Sequence, residues 1–281
     1  MFFVGPHVST SGGVSNAPLN ASSVGATGFA MFVKNQRQWT APPLSGQEIE
    51  LFKQRLSECG YSPAQVLPHA GYLINLANPD AEAHAKSMAS LKNELSRCMA
   101  LGLTMLNLHP GSHLRQLAPE AACDRVAESI NSALKDSDGV TIVIENTAGS
   151  GGNLGSKFSE LARIISGVKD QQRIGVCIDT AHTFGSGMDI STPEGFDRAI
   201  ADFDRTVGLR FLRGMHLNDS RAALDSHVDR HESLGLGKIG FATFAHLMKD
   251  ARFEGIPLIL ETPDESKWED EVRRLLECRR S

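Results

Sequence analysis

The chain of 281 residues carries a formal charge of −5, with 41% hydrophobic and 22% charged residues, the composition of an ordinary soluble globular protein. No apolar stretch approaches the roughly 18 residues of a membrane span. The start, Met1-Phe2-Phe3-Val4-Gly5-Pro6-His7, has no basic leader region and reads as a first strand rather than a signal peptide.

In chain order, strands are expected at Phe2–Gly5 and Phe29–Val33. An exposed, amide-rich segment follows, Lys34-Asn35-Gln36-Arg37-Gln38-Trp39. Ile49, Phe52 and Leu56 keep a 3-4 spacing that predicts a helix ending near Gly60. The run Val66-Leu67-Pro68-His69 leads into Ala70-Gly71-Tyr72-Leu73-Ile74-Asn75, and Met88, Leu91, Leu95 and Met99 predict a helix stopped by Gly102. After Met105-Leu106-Asn107-Leu108-His109, Pro119 and Glu120 open a helix carrying Val126 and Ile130. Then come Thr141-Ile142-Val143-Ile144-Glu145 and Gly175-Val176-Cys177-Ile178-Asp179, the latter extended by Thr180-Ala181-His182. Thr192-Pro193-Glu194 caps a helix bearing Phe196, Ile200, Phe203 and Val207. The last runs are Leu212-Arg213-Gly214-Met215-His216 and Pro257-Leu258-Ile259-Leu260-Glu261, with the polar loop Asp229-Arg230-His231 between them.

Six of these apolar runs end in a residue that can bind a metal, at intervals of 40, 36, 34, 37 and 45 residues. A short continuous apolar run is the mark of a parallel strand buried on both faces. Eight strands at about 35 residues per unit predict one (β/α)₈ TIM barrel over residues 1–281, with a metal cluster at the C-terminal ends of its strands. A lone histidine after an apolar run is usually a satisfied core residue, and a lone strand-end carboxylate usually a helix cap. Nine in one register are neither. The set is His69, His109, Glu145, Asp179, His182, His216, Asp229, His231 and Glu261. Imidazole and carboxylate without thiolate suit catalytic Zn²⁺ or Mn²⁺, and nine ligands exceed the needs of one ion but fit three.

Five scattered cysteines, never in a C-x-x-C pair, read as reduced thiols of a cytoplasmic protein. Three divalent ions would turn the net charge from −5 to +1, so an acidic chain does not exclude a polyanionic partner. Gly235-Leu236-Gly237-Lys238-Ile239-Gly240 spells G-x-G-x-x-G, but it follows a polar loop rather than a strand, which argues against a dinucleotide. Its amides are left free to approach a phosphate. His7 is expected to orient a ligand or bind phosphate, and His84 and His246 to be solvated on helices.

The stretches Gly5–Ser9, Lys34–Trp39, Pro68–Asn75, Leu108–His113, Ile144–Gly149, Gly175–His182, Met215–Asp219, Val228–His231 and Pro257–Thr262 resemble those of the endonuclease IV family, zinc-dependent apurinic/apyrimidinic endonucleases. The resemblance implies three Zn²⁺, with Mn²⁺ able to take one position. His69 and His109 would hold one, Asp179, His216 and Glu261 a second, and His182, Asp229 and His231 the third. Glu145 would bridge the first two, with Glu145 and Glu261 counted as catalytic. It further implies a double-stranded DNA substrate bearing an abasic site or a blocked 3′ end, with no membrane or protein partner required. Asn35, Gln36, Arg37, Tyr72, Leu73 and Arg230 would touch the DNA. A metal-dependent sugar isomerase or epimerase of the same barrel type is the alternative.

Overall fold

A computed structural model describes residues 1–279. Nine strands are assigned among them: β1 Phe3–Val8, β2 Ala30–Met31, β3 Met105–Leu108, β4 Thr141–Glu145, β5 Ile174–Asp179, β6 Leu212–His216, β7 Asp219–Ser220, β8 His231–Glu232 and β9 Pro257–Leu260. Seven of them form one parallel sheet in the order β2-β1-β9-β6-β5-β4-β3. The sheet closes on itself through residues 66–69, which bridge β2 on one side (Phe29 to Val66, Phe32 to His69) and β3 on the other (His69 to Asn107), all parallel. Counting that segment, eight parallel strands alternate with helices in a TIM barrel. The first strand runs three residues past its expected end, while the second is reduced to Ala30–Met31.

Helices cover the outside. Ser45 caps the helix Gly46–Glu58 by accepting from the Glu48 amide, and Thr192 caps Pro193–Thr206 by accepting from Gly195. Phe52, Phe196 and Phe203 are fully buried beneath these helices, each worth about 1.5–3 kcal/mol over exposure. In the helix Ala81–Leu101 the buried stripe is Leu91, Leu95, Cys98 and Leu101, and Met99 is exposed. The expected Met88–Met99 stripe therefore drifts off the core within the last turn. No helix among the described residues is long and apolar enough to cross a membrane.

Inside the barrel, Ala30, Leu67, Met105, Val143, Cys177 and Ile259 pack as a separate buried layer. Side chains alternate along a strand, so residues two positions on must also face inward. Those residues are Phe32, His69, Asn107, Glu145, Asp179 and Glu261. The apolar layer is the floor of the mouth and sets which residues look into it.

Candidate metal centre

Glu145 lies at the centre of that mouth with no solvent exposure. One oxygen, Oε2, is 3.3 Å from His69 Nε2 and 3.6 Å from His109 Nε2; the other is 3.0 Å from His216 Nδ1. His216 Nδ1 also faces Glu261 at 3.3 Å and Asp179 at 3.9 Å. On the far side, Asp229 lies between His182 Nε2 at 3.2 Å and His231 Nε2 at 3.1 Å, with Asp179 3.6 Å from His231. Ligand atoms within 4.8 Å of one another fall into three groups: His69, His109, Glu145; Glu145, Asp179, His216, Glu261; and Asp179, His182, His231. All nine expected ligands are brought together, Glu145 and Asp179 are each shared by two groups, and Asp229 joins the third by its contacts.

The rings are aimed from outside. The carbonyls of Ala70, Asn146 and Glu261 lie 2.7, 3.0 and 3.2 Å from Nδ1 of His69, His182 and His231. An Nδ1–H donated to each carbonyl leaves Nε2 as an inward lone pair, the tautomer a metal requires. Two amide side chains do the same for the carboxylates, and a third holds the Asp179 backbone. Asn107 Nδ2 donates to Glu145 at 2.6 Å and Asn218 Nδ2 to Asp179 at 2.7 Å, while Asn146 Oδ1 accepts from the Asp179 amide at 2.6 Å. None of these three was picked out by sequence reasoning. Their signal was an amide within two residues of each strand-end ligand. His7 faces Glu261 through Nδ1 at 2.8 Å, so it orients a ligand.

Among the described residues, every ion-pair partner of Glu145, Asp179, Asp229 and Glu261 is a histidine. Burial opposes ionisation of Glu145, yet the surrounding His216 and His109 rings hold its carboxyl well below the usual range. Burial also disfavours a charged His182, but Asp179, Asp229 and Glu145 raise it well above its ordinary value. His231 is raised to about 9, with Asp179 and Asp229 prevailing over burial. Four clustered carboxylates faced only by imidazoles form a donor set that divalent ions fit. Burial pushes the Cys177 thiol up to about 12, and its side chain belongs to the apolar layer beneath the ligand groups.

Above the cluster opens a cavity of about 620 Å³ lined in part by Phe32, Tyr72, Arg230 and Trp268. Tyr72 is 59% exposed and Leu73 37%, so this pair is not a tucked-in loop core. Arg37, Asn35 and Arg230 are exposed and Gln36 is half-buried. Lys34, expected on the surface, is buried. Its Nζ is 3.1 Å from Glu94 and donates to the Gln38 carbonyl at 2.6 Å, and Glu94 accepts from the Gly71 amide at 3.0 Å. One buried ion pair therefore ties the Arg37 loop to the Tyr72 loop.

The glycine-rich segment also departs from expectation. It follows the short strand β8, and its amides point at the carboxylate of Asp219, not toward open space. It has none to spare for a phosphate. His84 and His246 are half-buried and paired, with Ser129 and Asp197 respectively, rather than solvated.

Residues 19–281 match the model of the xylose isomerase-like TIM barrel family. Among solved structures, endonuclease IV from Thermus thermophilus superposes with a TM-score of 0.86 at 33% identity, covering 98% of this chain and 99% of that one. A D-tagatose 3-epimerase-like protein superposes with a TM-score of 0.73 at 15% identity, over 100% and 98% of the two chains. The D-psicose 3-epimerase of Clostridium cellulolyticum gives 0.71 at 16%, over 99% and 98%. At such identities the epimerases share the fold alone.

Proposed function

We propose that this chain, which belongs to the xylose isomerase-like TIM barrel family, is a zinc-dependent apurinic/apyrimidinic endonuclease acting as one domain over residues 1–281. It would hydrolyse the phosphodiester 5′ to an abasic site in duplex DNA, leaving a 3′-hydroxyl and a 5′-deoxyribose phosphate, and would trim blocked 3′ ends. The observation that carries this reading is the third ligand group, His182, Asp229 and His231, beside the two that share Glu145. The similarity to endonuclease IV supports it.

His69, His109 and Glu145 would hold one ion, Glu145, Asp179, His216 and Glu261 a second, and His182, Asp229 and His231 a third. Bound zinc supplies Lewis acidity toward phosphate oxygens and lowers the pKa of water near neutrality. The protein's part is placement. Ala70, Asn146 and Glu261 carbonyls fix the rings, and Asn107 and Asn218 fix the carboxylates. Tyr72 lines the mouth, and Leu73 and Arg37 are exposed on the two loops that Lys34 ties together; these side chains would fill the gap left by an extruded sugar. Extrusion is cheapest where the base is missing. Asn35, Gln36 and Arg230 would meet the backbone.

Sugar epimerisation is the second reading, favoured only by the shared barrel. It uses neither the third ligand group nor the exposed loops. The test is incision of a duplex carrying one abasic site in Mg²⁺-free buffer, beside a ketohexose epimerisation assay on the same metal-quantified sample. The expected result is a polymerase-extendable 3′ end and no epimer. Epimerisation without incision, or a borohydride-trapped adduct with non-extendable ends, overturns the hydrolytic reading.

A further inference from the structure

We propose that Asp219 is a positioning residue for the third ligand group, and that the G-x-G-x-x-G segment exists to wrap its carboxylate. Asp219 is completely buried. Its Oδ1 accepts from the amides of Ser220 at 2.8 Å and Ile239 at 2.9 Å, its Oδ2 from Gly235 at 2.9 Å and Gly237 at 3.0 Å, and Gly240 reaches both at 3.4 and 3.2 Å. Five amides around one carboxylate form the concave anion nest that other proteins offer to phosphate. Here the anion is internal. Each glycine has a separate reason to be there. Gly235 and Gly240 both have φ of +82°, where a side chain is strained, and a Cβ on Gly237 would collide with Asp219 Oδ1.

The nest matters because of what it clamps. β7, which begins with Asp219, pairs antiparallel with β8, setting Ser220 opposite His231. A ladder of two residues a side is marginal alone. The chain leaving β8 returns through the nest to Asp219, and the Lys238 amide donates to Ser220 at 2.8 Å. His231 and, through Arg230 (whose carbonyl accepts from the Arg221 amide at 2.9 Å), Asp229 are thereby held over His182. Asp219 is the first acid after His216 in sequence yet cannot ligate, since both its oxygens are spent on the backbone.

This rests on the reading that His182, Asp229 and His231 take an ion. Asp219→Asn keeps the shape but replaces one acceptor oxygen with an NH₂ aimed at amides. Gly237→Ala keeps the charge but pushes the loop off the carboxylate, and carries the test if the first variant fails to fold. Leu236→Ser, at an exposed position in the same segment, is the control. Zn²⁺ content and amide exchange are measured on each purified protein. Both nest variants should lose one ion relative to the parent while keeping the rest, and residues 231–240 should exchange at least about tenfold faster, with the control unchanged. Parental ion content and exchange in both variants would overturn the proposal, as would equal loss of every ion. If the parent itself holds fewer than three ions, the function proposed above falls. The exchange comparison then still decides whether the nest holds β8.

Discussion

Glu145 is the residue on which the centre turns, since its two oxygens face different histidine sets. Glu145→Gln retains the shape but offers one oxygen and one NH₂, which cannot serve both groups. We expect turnover to fall by more than the roughly 10–100-fold that outer-shell changes cost, with DNA binding little altered. Near-parental kcat at full metal content would remove the assigned role. Asn107 acts one layer out, its amide held 2.6 Å from Glu145. Asn107→Ala should weaken metal affinity by about 10–100-fold, read by competition with a chromogenic chelator; unchanged affinity would make Asn107 a mere packing residue. Seven of the nine expected ligands were legible because each ends or closely follows an apolar run, and Asp229 and His231 because they form a D-x-H pair in a polar loop. Asn107, Asn146 and Asn218 were not, because an amide in or just after a run carries no charge and no periodicity to mark it.

Elements bring in partners that sequence separates. Lys34 read as a surface charge because Glu94, its partner, lies 60 residues on in a different helix. The glycine segment read as an open phosphate cradle because Asp219 precedes it by 16 residues or more. The ends of the later strands and the Thr192 cap, set by local chemistry, were legible, while the ends of the first two strands were not. Burial raises the Glu94 carboxyl despite the pull of Lys34. A raised folded value means its stabilising proton is fully in place below the ordinary carboxylate range and is lost as pH rises through that value. The stability this group contributes therefore falls as pH rises through the folded value. Lys34→Met should destabilise by about 3–5 kcal/mol by leaving a buried carboxylate unpaired. Glu94→Gln should cost less, because Lys34 keeps the Gln38 carbonyl and Ser90 as acceptors. Denaturant unfolding at neutral pH checks the order, and the reverse order would refute this account. Arg37→Ala with Tyr72→Ala, in loops that carry no ligand, should reduce discrimination between abasic and intact duplex and leave metal content alone. Specificity unaltered in the double variant would make both loops purely structural.

At the scale of the whole molecule, the barrel is not uniform around its circumference. Six contiguous pairings join assigned strands, while residues 65–70 close the cylinder along a seam of isolated bridges backed by backbone hydrogen bonds to Phe29, Met31 and Asn107. His69 stands on that seam, bridged to Phe32 on one side and Asn107 on the other, and shares a ligand group with His109 and Glu145 from the next two strands. An ion held there would be a rivet across this closing joint of the cylinder. It couples catalysis to circumferential integrity. Prolonged chelation should lower the melting temperature by on the order of 10 °C, from a binding contribution of about 4 kcal/mol per ion at a thousandfold excess over Kd. Amide exchange on the stripped protein should rise first at residues 29–33 and 66–70, before β4 or β5. Uniform loss of protection around the barrel would show that the joint is no weaker than the rest. In this architecture starvation for metal is a mechanical event as well as a chemical one: the enzyme would come apart along the line where its first ligand sits.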